Sequence, residues 1–247
     1  LGQEETAIRV LEHAVKVAKD DLAAWRRLGG LRALAGDLPA ARDAYRHLVL
    51  PVVEPSHEDV ALLARAELAC RNPAAAVKHF KRALANRPKG SKPSPVLIGD
   101  LGVAQFGVRA YDDAAASLLL ASETLNKDSR LLDYLGRSLH QLKKLAHAAG
   151  VFKRSIRAPG GNRRAQPPRY LALYALEAKR IPEARKYAEA AVKIAPKNSL
   201  CREIAGRAAL AGDDPNSALT HFAIAAKADP KRLSLSLLAG KAAVMAG

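Results

Sequence analysis

The feature of this sequence that most constrains its fold is an internal repeat with a period of 34 residues. The phrase Ala184, Ala188, Ala191, Pro196 returns as Ala218, Phe222, Ala225, Pro230, and an earlier copy reads Ala76, Phe80, Ala83, Pro88. In the copy that has alanine at 188, Tyr187 stands one residue earlier, placed to supply the missing ring. Upstream of each phrase lies a second signal, a large or apolar residue followed by a small one. The pairs are Leu28-Gly29, Leu63-Ala64, Leu101-Gly102, Leu135-Gly136, Leu171-Ala172, Ala205-Gly206 and Ala239-Gly240. A period of this length means that one supersecondary unit recurs and stacks on its copies, because a single unit cannot bury its own apolar face.

The spacings of four and three inside each phrase put its residues on one face of a helix. Composition agrees: 49% of the 247 residues are hydrophobic but only 4% aromatic, and alanine and leucine are strong helix formers. The small residue lets two helix backbones approach, the facing ring fills the gap beside it, and proline stops the second helix. Gly36-Asp37 and Gly212-Asp213 supply the turn within a pair, glycine ending the first helix and aspartate or its neighbour capping the second.

Trp25-Arg26-Arg27-Leu28-Gly29, followed by Ala41, Tyr45 and Leu48, resembles the tetratricopeptide repeat, whose pattern is W-x2-L-G-x2-Y, then A-x3-F, then P. The resemblance extends along the whole chain. It implies an all-α fold, a right-handed α-solenoid of stacked helix-turn-helix repeats with about thirteen antiparallel helices. We divide the chain, as a single superhelical domain 1–247, into a half repeat at 1–21 and about six repeats: 22–56, 57–94, 95–128, 129–164, 165–198 and 199–232. A last helix occupies 233–246. Two Gly/Pro-rich connectors, 89–95 and 159–168, lengthen loops between repeats. Leu1-Gly2 has the register of Ala35-Gly36 and Ala246-Gly247, so the sequence reads as a segment of a longer protein. In this register Gly136→Leu is expected to cost about 1 to 3 kcal/mol by overpacking a helix contact, and Gly161→Leu, in a loop, much less.

No catalytic constellation is present: no G-x-S-x-G, no phosphate-binding glycine loop and no H-E-x-x-H. The seven histidines read as packing residues, His79 and His221 occupying the same slot beside Phe80 and Phe222. Cys70 and Cys201 are 131 residues apart with no other Cys or His at metal-ligand spacing. The expectation is therefore a protein that is not an enzyme and needs no cofactor or metal. No run of about 18 uncharged apolar residues suggests a membrane span, and the compartment, cytoplasmic or bacterial periplasmic, stays open.

Charge is the informative feature. The formal net charge is +16, and two carboxylate-free stretches hold that excess. Between Leu68 and Gly99 there are seven basic residues, and between Tyr134 and Leu176 nine. A concentrated positive field attracts and orients an acidic partner. Arrays resembling this one bind extended peptides or helices in the groove lined by their first helices. By register that groove presents Arg26, Arg65, Val103, Phe106, Arg130, Arg137, His140, Arg169, Leu173 and Arg207, together with Asp133, Glu203 and Lys241. The family's carboxylate clamp needs lysine and asparagine pairs at slots that here hold Arg26 and Gly30, then Ala61 and Arg65, so a heat-shock co-chaperone role loses its support. Arg87, Lys89, Lys92, Arg157, Arg163 and Arg164 fall on connectors between repeats and are expected to form a basic edge. The function expected is a scaffold or adaptor that docks an acidic or mixed acidic-apolar protein segment and so assembles a larger complex. The alternatives are a polymer-binding scaffold of bacterial exopolysaccharide export, taking an anionic polysaccharide, and an RNA-binding repeat protein.

Overall fold

A computed structural model describes residues 2–247, which contain fourteen α-helices, one more than expected, and no strand among the described residues. The helices group into two compact units, residues 1–125 and 126–247. The division falls after the seventh helix, at neither of the Gly/Pro-rich connectors.

The first unit holds α1 (Gly2–Val17), α2 (Leu22–Leu34), α3 (Leu38–Val49), α4 (His57–Ala69), α5 (Pro73–Ala85), α6 (Pro95–Gly107) and α7 (Tyr111–Thr124). Helices α2/α3, α4/α5 and α6/α7 form its hairpins. Its main core joins Tyr45 and Leu48 of α3, Val60 and Leu63 of α4, Phe80 of α5 and Leu101 of α6. The second unit holds α8 (Ser129–Gln141), α9 (Leu145–Arg157), a 3-10 turn (Gly161–Arg163), α10 (Gln166–Glu177), α11 (Ile181–Ile194), α12 (Ser199–Ala211), α13 (Pro215–Ala228) and α14 (Leu233–Ala246). Its hairpins are α8/α9, α10/α11 and α12/α13, with α14 packed on α13. Both units are thus α-solenoid stacks of helix-turn-helix repeats.

The pairing of small residue and filler works as the sequence implies. A Cβ at Gly29 would lie 2.5 Å from the Tyr45 ring, at Gly136 2.5 Å from Phe152, at Gly206 2.6 Å from Phe222 and at Gly102 2.7 Å from Leu118. Phe80, sixteen positions beyond Ala64 like the other fillers, is fully buried. In the hairpin of α10 and α11 the pair is Ala172 and Ala188. There Tyr187 is only half-buried and packs against the cluster of Ala148, Phe152, Leu171 and Tyr174 as well as against that of Ala172 and Ala188. One residue of displacement turns a side chain about 100° around a helix, so this ring leaves the slot and faces the neighbouring hairpin.

Gly212 ends α12 and Asp214, the neighbour of Asp213, caps α13 as expected, and one local expectation needs correction. In the turn between α12 and α13 the left-handed residue is Asp213 (φ 54°), whereas Gly212 has φ −104°. Its counterpart Gly36 does take φ +81°, but the same place is held by Arg71, Arg109, Lys143 and Lys179 at φ 55° to 63°. These turns repeat one hydrogen-bond pattern, for example Asp37 N–H to Arg32 O and Asn72 N–H to Glu67 O, each 2.9 Å. That pattern closes the helix end whichever side chain is present. The correction is Gly161, which is buried. A Cβ there would sit 1.9 Å from the Ser155 carbonyl oxygen and 2.9 Å from that of Ile156. It touches backbone rather than a ring, so the expected tolerance of this loop position does not hold.

Candidate docking surfaces

In the first unit the groove arginines are held by carboxylates of the same unit. Arg26 donates from Nε and Nη2 to both oxygens of Asp59 at 2.7 and 2.8 Å, and Ser56 Oγ donates to the same carboxylate at 2.7 Å. Burial alone would raise the pKa of Asp59, but the hydrogen bonds from Arg26 and Ser56 outweigh it and hold the group below the usual carboxylate range. Arg65 Nε donates to Asp100 Oδ2 at 2.8 Å. Val103 is buried, offering a ligand almost nothing, while Phe106 is half-buried with its ring 5.5 Å from Tyr111. On the connector, Arg87 folds back to donate to Leu84 O at 2.8 Å and Ser91 O at 3.1 Å. It caps the end of α5, and of that basic set only Lys89 and Lys92 stand exposed in this unit.

The first helices of the second unit are α8, α10 and α12, and they carry aromatic rings among their cations. The guanidinium of Arg137 lies 5.0 Å from the Tyr134 ring and that of Arg169 4.3 Å from the Tyr170 ring. Such contacts fix a cation's position without neutralising it. Arg169 Nε donates to Gln166 Oε1 at 3.0 Å, and Arg169 forms no ion pair among the described residues. His140 is hydrogen-bonded to the Tyr174 hydroxyl at 2.8 Å and its ring lies 4.7 Å from Tyr170. Burial, with Lys143 and Arg169 adding to it, lowers its pKa and keeps the imidazole neutral. Leu173 is half-buried between two core clusters, and Arg130 is half-buried at the start of α8. Asp133 is 3% exposed; its Oδ2 is 3.9 Å from Arg164 Nη1, and its Oδ1 has no hydrogen-bond partner among the described residues. Burial raises its pKa against the pull of Arg137, Arg164 and Arg169. Arg207 and Arg232 grip the two oxygens of Glu203 at 2.6 Å each.

Of the expected basic edge in this unit, Arg157 and Arg163 are exposed and Arg164 turns inward to Asp133 and Ser129. Three residues outside every expected set, Lys186, Tyr187 and Lys193, join Arg163 around a cavity of about 670 Å³. The sequence signal for that cavity is the ring at 187 in place of 188.

Among the described residues no helix is long and apolar enough to cross a membrane, and no group of three or more His, Cys, Asp or Glu is placed to hold a metal. A tetratricopeptide-repeat family model matches residues 1–50. The fold beyond residue 50 is matched by solved structures. One is that of Pseudomonas aeruginosa PilF, with a TM-score of 0.72 at 22% identity over 89% of this chain and 97% of that one. The fold is that of a tetratricopeptide-repeat array. The TPR protein TTC0263 of Thermus thermophilus matches with a TM-score of 0.53 at 18% identity, over 76% of this chain and all of that one. A chain of the APC/C hetero-tetramer Cut9-Hcn1 reaches 0.74 at 14% identity over 98% of this array, which spans 46% of that chain. No curated protein matches the sequence. At these identities the likeness is one of fold, and the tetratricopeptide-repeat fold is generally that of a protein–protein interaction scaffold.

Proposed function

We propose that this array is a non-enzymatic scaffold that docks an acidic, partly apolar protein segment on the first-helix face of residues 126–247. The observation that carries this reading is Arg169. It is held in place by Tyr170 and Gln166 but, unlike Arg26, Arg65 and Arg207, has no carboxylate of its own. A preoriented cation next to half-buried Leu173 and the rings of Tyr170 and His140 offers one charge-assisted bond and an apolar bed together. A partner carboxylate then takes the place that Asp59 takes for Arg26.

The test is a peptide-display selection on the full chain, followed by affinity measurements on the selected peptides. Acidic residues flanking apolar ones should be enriched, and Arg169→Gln should weaken binding several-fold while Arg26→Gln leaves it unchanged. Selection without acidic enrichment, or an unaffected Arg169→Gln variant, defeats the reading. A fall in affinity by orders of magnitude between about 50 and 200 mM salt would favour a polyanion such as RNA or an anionic polysaccharide instead.

A further inference from the structure

We propose that the cavity between the end of α9, the 3-10 turn and the second half of α11 is a second docking site, for an amphipathic acidic helix of a partner protein. It includes none of the residues Arg169, Tyr170, Leu173 and His140 on which that reading rests, and stands independently of it. The floor is apolar: Ile156 of α9, Pro168 at the start of α10, and Tyr187, Ala190 and Ile194 of α11. Tyr187 reaches it because Ala188, not Tyr187, occupies the packing slot against Ala172. The rim is cationic. Arg163, Lys186 and Lys193 are exposed, no carboxylate lines the cavity, and none of the three cations makes an ion pair among the described residues. Glu189, within helical reach of both lysines, pairs with neither and instead lines a separate small pocket beside His221.

The spacing of the cations selects the class of ligand. Lys186 and Lys193 are seven residues apart on α11, two turns, or about 10 Å along the axis. One carboxylate cannot meet both, so a single-headed amphiphile such as a fatty-acid anion leaves one lysine unanswered. A helix with acidic residues at i and i+7 and large apolar residues at i+3 and i+4 answers both, and lays its apolar pair over Tyr187, Ala190 and Ile194. At about 670 Å³ the cavity is in the range of sites that enclose bound groups, roughly 300 to 1,000 Å³, and has room for that pair.

The probe is a stapled helical peptide of about 14 residues, since shorter free helices melt in water, with Glu at i and i+7 and Leu at i+3 and i+4. Binding to the full chain is followed by fluorescence anisotropy and by the methyl resonances of Ile156 and Ile194. The peptide should shift both methyl signals. Lys186→Glu and Lys193→Glu, both at exposed positions, should each weaken it by roughly three- to tenfold, and moving the two glutamates to adjacent positions should weaken it likewise. Arg169→Gln should leave it unchanged. Unmoved methyl signals, or silent lysine reversals, overturn the proposal. So does decanoate binding the same methyls more tightly than the peptide, which would make the cavity a lipid site. If Arg169→Gln weakens this peptide and the lysine reversals do not, the peptide sits on the first-helix face. The cavity proposal then fails while the groove reading stands.

Discussion

Replacing Gly161 with alanine is the sharpest test of how the second unit is packed. The added Cβ would meet the Ser155 carbonyl oxygen at 1.9 Å, whereas ordinary contact begins at 3.4 Å. The 3-10 turn and the last turn of α9 must therefore separate by more than 1 Å, and no side-chain rotation relieves the clash because the obstacle is backbone. Ser155 is fully buried and its Oγ donates to Ser129 O at 3.0 Å, so the shift also strains a bond between α9 and α8. Overpacking typically costs about 1 to 3 kcal/mol and the hydrogen bond adds about 1, giving about 2 to 4 kcal/mol for Gly161→Ala. Gly136→Ala, whose Cβ would meet the buried Phe152 ring at 2.5 Å, should cost about 1 to 3 kcal/mol. Gly150→Ala, exposed inside α9 with nothing within 4 Å, should instead stabilise by about 0.5 to 1 kcal/mol. Urea midpoints followed by far-ultraviolet circular dichroism order the three variants. A Gly161→Ala midpoint within about 0.5 kcal/mol of the unsubstituted protein would refute the close approach of turn and helix.

Lys144 begins α9 without a side-chain cap, where Asp37, Asn72 and Asp214 cap α3, α5 and α13; Lys144→Asp should raise stability by about 1 kcal/mol, read from the urea midpoint. Lys179 holds φ 55°, so Lys179→Gly should stabilise by about 0.5 to 1 kcal/mol, the left-handed penalty less the entropy of glycine; a lower midpoint would show the turn to be unstrained. Because the Asp59 carboxyl is held low in the folded state, its contribution is present above the ordinary value near 3.9 and is lost as pH falls through the folded value. Asp59→Asn should thus be less stable than the parent at pH 7, with the gap closing towards pH 3; a constant gap refutes the assignment. Glu203→Gln releases Arg207 and Arg232 and should raise affinity for a selected acidic peptide several-fold; unchanged affinity would mean that these arginines lie outside the docking face.

The hairpins were legible because each rests on residues sixteen positions apart that recur with the repeat. Tyr45, Phe152 and Phe222 stand over Gly29, Gly136 and Gly206 just as the pattern of small and large residues implies. What escaped the sequence depends on fractions of a turn or on backbone contact. Gly212 was a natural choice for the turn, yet it is the next residue, Asp213, that turns left-handed, since the hydrogen bonds and not the glycine set the helix end. Gly161 reads as loop glycine, and only the position of the Ser155 carbonyl shows why a side chain is excluded. Tyr187 could be found by its one-residue displacement, but not the lysines that gather with it.

Charge is harder to read for a different reason: counting along the chain overlooks ion pairs that run from one repeat to the next. Arg26 pairs with Asp59 33 positions on, and Arg65 with Asp100 35 positions on, close to the 34-residue period. For Arg169 the residue one period on is Glu203, an acid, but both of its oxygens are taken by Arg207 and Arg232. A ladder of arginine and carboxylate that closes on itself in the first unit therefore has no rung left for Arg169. Net charge alone would have assigned equal weight to every arginine of the groove; the pairing separates Arg26 and Arg65, which tie one repeat to the next, from Arg169, on which the proposed docking rests.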